Sequence, residues 1–177
     1  AWDTTVTYGA MYRLGDQNDT LLSNANGDDG NRNFDKGIVS NRLSLITEAD
    51  INYQGDYGVF VRARAWYDDA YQSTNDNDSN TSNNRSVTGN KFNSDTEERH
   101  GNDVELLDSF IYSGFDIADT RVNLRIGDQV VNWGESLFLQ GGVSSSQGPL
   151  DASKANVPGV ELKDIFLPTG QIFLQTD

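Results

Sequence analysis

The chain has 177 residues, with 13 Lys+Arg against 27 Asp+Glu and a formal net charge of −14. That length fits one domain or part of one, the acidic balance argues against nucleic-acid binding, which needs a basic footprint, and zero cysteines exclude disulfide frameworks, thiolate zinc sites and cysteine nucleophiles. A mean hydropathy of −0.60 alone would read as a soluble or disordered chain, but 10% of the residues are aromatic and cluster in periodic segments, which argues against disorder, and no run nears the roughly 18 apolar residues of a membrane helix.

The chain opens on Ala1-Trp2-Asp3 with neither a basic n-region nor an apolar h-region, a start that fits a mature N-terminus and an excised piece equally. From there the dominant signal is alternation at period two, the mark of a strand with two different faces. In residues 2–13 the even positions read Trp2, Thr4, Val6, Tyr8, Ala10, Tyr12, against Asp3, Thr5, Thr7, Gly9, Met11, Arg13. Residues 41–53 set Leu43, Leu45, Thr47, Ala49, Ile51 and Tyr53 against Arg42, Ser44, Ile46, Glu48, Asp50 and Asn52. Residues 57–68 set Tyr57, Val59, Val61, Ala63, Ala65 and Tyr67 against Gly58, Phe60, Arg62, Arg64, Trp66 and Asp68. Residues 104–116 are strand-like but choose no face; residues 121–133 alternate again, and residues 169–177 are a shorter candidate. The expectation is six strands and no long helix, with at most a short helical piece within 151–166, where Pro158 and Gly159 interrupt.

Strands of about 12 residues exceed the roughly 5–6 of globular proteins and suit a bilayer-spanning strand, which needs roughly 9–11 tilted residues. The connections alternate as well. Gln54-Gly55-Asp56 and Ile117-Ala118-Asp119 are short, whereas 14–40, 69–103 and 134–168 are long. Outer-membrane barrels have that asymmetry, with short periplasmic turns and long extracellular loops. The fold expected is therefore an all-β, antiparallel up-and-down transmembrane barrel, with this chain supplying about six strands of a larger one. Pairing Tyr53 with Tyr57 brings Glu48 opposite Arg62 and Arg42 opposite Asp68, while Arg64 faces Ile46 and is the less compensated charge. Tyr53 and Tyr57 then sit at one interface and Tyr12 and Tyr67 at the other, as girdle residues do.

Several blocks resemble one family. They are Asn26-Gly27-Asp28-Asp29-Gly30-Asn31 with Asn33-Phe34-Asp35-Lys36-Gly37, Tyr57-Gly58-Val59-Phe60-Val61-Arg62 with Trp66-Tyr67-Asp68, Glu105-Leu106-Leu107-Asp108, the run from Gly127 through Asp128, Gln129, Val130, Val131, Asn132, Trp133, Gly134 and Glu135 to Ser136, and Val157-Pro158-Gly159-Val160-Glu161-Leu162-Lys163. In this order they are similar to the proteobacterial outer-membrane family called domain of unknown function 1302. The resemblance implies an outer-membrane barrel of a Gram-negative bacterium, linked to export or uptake of hydrophobic compounds beside a large transporter. Family members are several times longer, so the resemblance places this chain in the N-terminal part. Six strands also fall short of the roughly eight that close a barrel.

No enzyme chemistry is expected. His100 is a lone loop histidine, Ser144-Ser145-Ser146 have no local base, and neither a Gly-x-Ser-x-Gly elbow nor a phosphate loop is present. No cofactor is expected; calcium at the acidic loops is the alternative, since Asp76-Asn77-Asp78-Ser79-Asn80 begins like an EF-hand loop but has Thr81 where Gly belongs, and Asp28, Asp29 and Asp35 form a second cluster. The informative feature is the polar strand face, to which Arg42, Glu48, Asp50, Arg62, Arg64, Arg121, Arg125 and Asp128 are assigned. In a barrel these are lumen residues that set conductance and selectivity, or charges that pair to fill the lumen; Trp66 and Phe60 add apolar filling, and 134–168 folds inward as a constriction. The function expected is a pore or channel for small or hydrophobic solutes. The alternatives are a surface structural or adhesion protein and a soluble β-sandwich binding module. Expected partners are outer-membrane lipid and lipopolysaccharide, with a transporter or further copies of the chain, and no nucleic acid.

Overall fold

The computed structural model describes residues 1–24, 27–79, 87, 89–131, 133, 148–155, 157, 160 and 164–176. Six strands form one sheet in sequence order: β1 (Trp2–Arg13), β2 (Gly37–Tyr53), β3 (Tyr57–Asp68), β4 (Asn102–Ile117), β5 (Thr120–Gln129) and β6 (Thr169–Thr176). β1 and β6 are its edges. The bounds of β1 and β3 match the alternation read from sequence. β2 starts four residues before the expected 41, because Ile38 and Val39 are β-branched and continue the extended chain. β5 stops at Gln129 rather than 133, and there the Asp108 carboxylate accepts the Val130 N–H at 2.9 Å in place of a ladder bond. Helix among the described residues is confined to short pieces, the longest being the contiguous Ser94–Thr96 and Glu97–Gly101, and one of them, Ala152–Lys154, lies within the segment where a short piece was expected.

The short turns need unusual backbone. Gln54 (φ 56°) and Gly55 (φ 85°) are both left-handed, and Asn52 Oδ1 holds the Gly55 N–H at 2.8 Å. The β4–β5 hairpin closes on Ala118 and Asp119, with Ile117 paired to Thr120.

β4 explains why its sequence chooses no face. Val104 and Leu106 are exposed, as are Ile111 and Ile117, so the exposed parity changes within one strand. The change falls at Leu107 and Asp108, two successive buried residues. One extra residue at that point is a bulge, and it shifts every later side chain to the opposite face. The regular pairing with β5 begins just beyond, at Ser109↔Asp128, and runs to Ile117↔Thr120.

The chain divides into two compact units. The first comprises Ala1–Thr5, Leu45–Arg64 and Val104–Asp177, the second Val6–Ser44 and Ala65–Asp103. In the second, Arg13 organises the first long loop: its guanidinium donates to the carbonyls of Gly15, Asp16, Asn31 and Phe34 and to Asn31 Oδ1, at 2.6–3.0 Å. That loop packs on the next. Asp76 accepts the Asp35 amide at 2.7 Å, and Phe34, Tyr71 and Phe92 form a ring cluster with centroids 5.0–5.8 Å apart.

Candidate functional site

In the first unit one sheet face is apolar and exposed. Ile51, Tyr53, Tyr57, Val59, Ile111, Ile126, Ile172 and Leu174 lie on it, with Ile111, Ile126 and Ile172 in register across β4, β5 and β6. The opposite face carries the charges, and most of them are covered. Arg62 meets Asp108 at 2.7 Å and Glu48 at 3.9 Å. Arg64, 3% exposed, meets Glu105 at 2.5 Å. Lys154, 4% exposed, reaches the same carboxylate at 2.7 Å and Asp151 at 3.2 Å. Arg64 Nη1 also donates to the Asp164 carbonyl at 3.4 Å. Residues 151–154 and 164 therefore sit on the polar face of β3 and β4, held by ions. Burial alone would raise the Asp151 carboxyl, but hydrogen bonds from Ser153 and Lys154 and the Lys154 charge hold it below the ordinary aspartate range.

Each candidate from the sequence has a defined place. Glu48 and Arg62 approach each other as the hairpin register predicts. Asp50 accepts the Tyr112 hydroxyl at 2.7 Å, and Asn52 donates to the same oxygen at 2.9 Å. Tyr112 reaches these β2 groups by crossing β3 at Gly58, where any Cβ would collide with its ring. Arg121 pairs with Asp56 of the short turn and, at 3.4 Å, with Asp116. Arg125 stands among rings, 5.5 Å over Phe110 and 5.9 Å over Phe173. Phe60 stacks on Phe110 at 5.2 Å.

Two readings change. Arg64 is not the less compensated charge: its carboxylate comes from β4, whereas the hairpin register looked only across to β2. Asp128 is not on the polar face. It is two residues from Ile126 in β5 and pairs with Ser109 and Gly170, so its parity is that of the apolar side. Charge rather than spacing had placed it. Sequence reasoning missed Asp108, Glu105 and Lys154. The first two lie in the segment whose alternation the bulge scrambles, and the third in a segment without a period.

In the second unit Arg42, also assigned to the polar face, is buried, with its guanidinium 4.9 Å over the Trp66 ring and Nη1 donating to the His100 carbonyl at 3.4 Å. Asp68 accepts Ser40 Oγ at 2.5 Å and the Asn41 amide at 2.8 Å. His100 is stacked on Tyr71, with ring centroids 5.3 Å apart. Burial, then the Asp68 charge, raises the Tyr71 phenol above its ordinary range, against a lowering by Arg42. Asp28 is buried against Arg32 at 2.7 Å. Among the described residues no three metal-ligating groups converge. Ser144-Ser145-Ser146, Asn80 and Thr81 lie outside the described residues.

Fold and site together define an all-β protein on an antiparallel meander sheet, with an exposed apolar face and an ion-paired polar one. The chain belongs to the family described as Protein of unknown function (DUF1302), whose sequence profile matches residues 1–177. No curated protein and no solved structure matches it.

Proposed function

We propose that this chain is part of an outer-membrane β-barrel of a Gram-negative bacterium and serves as a pore or channel for small or hydrophobic solutes. The observation that carries this reading is the inversion of the sheet. A water-soluble sheet packs its apolar face and solvates its polar one. Here Ile51, Ile172 and Leu174 are exposed while Arg64, Asp108 and Lys154 are buried. An apolar band turned outward over a charged interior is how a strand dresses for lipid outside and a lumen inside. The alternation of short turns with long loops supports the same reading.

Backbone groups left unpaired in lipid cost several kcal/mol each, so β1 and β6 pair with further strands, of the same polypeptide or of other chains, to close the barrel. The polar face is then the lumen, and residues 151–154 narrow it. Lipid and lipopolysaccharide contact the apolar band, and a transporter or further copies of the chain are the candidate protein partners. Reconstitution in planar bilayers tests the pore. Discrete conductance steps are expected from protein that needs detergent to stay soluble and shows heat-modifiable gel mobility. Folded protein without steps would leave a structural or adhesive role, which the tightly tied loops around Arg13 favour; a fold stable without detergent would mean a soluble sandwich.

A further inference from the structure

Four cations on the polar face of the first unit each hold a carboxylate: Arg62 has Asp108, Arg64 and Lys154 share Glu105, and Arg121 has Asp56. Arg125 differs. Among the described residues it has no carboxylate and no side-chain hydrogen-bond partner, and its strand neighbours in register are Tyr112 and Phe173. It is exposed, with its guanidinium lying by the rings of Phe110 and Phe173.

We propose that Arg125 and these rings form a subsite for an organic anion with an aromatic or otherwise apolar body, a carboxylate such as an arylalkanoate. A guanidinium held beside rings, with no carboxylate or hydrogen-bond partner among the described residues, keeps its N–H fork for a bidentate carboxylate. The rings offer the apolar body a surface that continues in both directions. Phe60 stacks on Phe110 with planes 25° apart, and Trp133 meets Phe173 edge-on at 5.7 Å. Gly127, opposite Phe110, keeps the row flat, because its φ of 139° and the close Ser109 and Phe110 backbone leave no room for a side chain. The chain's net charge of −14 disfavours small anions in general. A ligand therefore needs the ring contact as well as the charge, which selects an amphipathic anion over a simple one. A purely structural role for Arg125, packing by cation–π contact alone, predicts no selective binding.

The subsite rests on the polar face being the solute path, and the test separates the two. Phenylacetate, acetate and benzyl alcohol are titrated by calorimetry into the detergent-purified protein. Phenylacetate should saturate, with the other two at least about tenfold weaker, and Arg125→Gln should weaken phenylacetate by about tenfold or more, the scale of a charge-assisted hydrogen bond. Arg125→Lys, which keeps the charge without the fork, should fall between, and Phe173→Leu should narrow the gap between phenylacetate and acetate. Unchanged heat-modifiable mobility of each variant shows that it is folded; should Arg125→Gln fail that check, Arg125→Lys and Phe173→Leu decide. Equal affinity for acetate and phenylacetate, or folded variants that bind like the parent, would overturn the subsite. Binding without conductance in bilayers would keep the subsite and overturn the pore; conductance without binding would do the reverse.

Discussion

At the scale of single residues, neighbouring positions belong to opposite faces of the sheet. Val61 is partly exposed on the apolar side, and Arg62 is held by Asp108 on the other. Val61→Arg should cost roughly 2–4 kcal/mol if the residue faces lipid at mid-depth. Arg62→Met should be no milder, about 3–5 kcal/mol, because it leaves the buried Asp108 charge unpaired. Adding Asp108→Asn should recover much of that loss, since the amide oxygen still accepts the Val130 N–H. Urea unfolding in detergent reads all three, and a double variant as unstable as Arg62→Met would show that the pair is not coupled. Gly58 gives a second case. Gly58→Ala drives the Tyr112 ring off its seat and from Asp50, so a loss of about 1–3 kcal/mol is expected, the scale of overpacking. Tyr112→Ala in that background should cost little more, whereas in the parent it costs a hydrogen bond and a ring. The sequence could not mark Gly58 as special, because the residue that requires it is 54 positions away.

At the scale of elements, legibility followed periodicity. β1 and β3 were readable to the residue because each alternates without a break, and the two short turns were readable as the gaps between alternating runs. β4 was not: the extra residue at Leu107–Asp108 makes one strand read as two half-strands of opposite phase, and it hid Asp108 and Glu105 with it. Ion pairs beyond the neighbouring hairpin, such as Arg64 with Glu105, need the third strand and cannot be had from a two-strand register. The segment carrying Lys154 has no period at all, so only the folded chain shows that it docks through ions. That docking has a pH signature. Asp151 is held below its ordinary range, so its contribution is complete above the unfolded pKa of about 3.9 and is lost as pH falls through the lower folded value. Hydrogen exchange at Ser153 and Lys154 should therefore stay constant from neutral pH to about 4, once corrected for intrinsic rate, and quicken below it. Lys154→Met should quicken exchange already at neutral pH; no change in either experiment would mean that the ion pairs do not hold the segment.

At the scale of the molecule, the proposed barrel puts the long connections and the short turns on opposite sides of the membrane. Lys91→Cys, in the connection before β4, should react with an impermeant maleimide on intact cells, and Asp119→Cys, in the β4–β5 turn, only after lysis; the reverse pattern would invert the orientation. Ion selectivity belongs to this scale too. Arg64 is neutralised by Glu105, and Arg125 has no carboxylate among the described residues. Reversal potentials in a salt gradient should therefore shift towards cations more for Arg125→Glu than for Arg64→Glu, and a larger shift for Arg64→Glu would place the conducting path along β3 instead. The two-residue alternation has a last consequence, for how such a chain travels. Its exposed apolar surface is written one residue in two, so no stretch of it is a stop signal for machinery that reads helices, and none of its described helices is long and apolar enough to cross a membrane. On the proposed barrel reading, such a polypeptide could be threaded whole through one bilayer and would declare itself hydrophobic only when its strands align at the next.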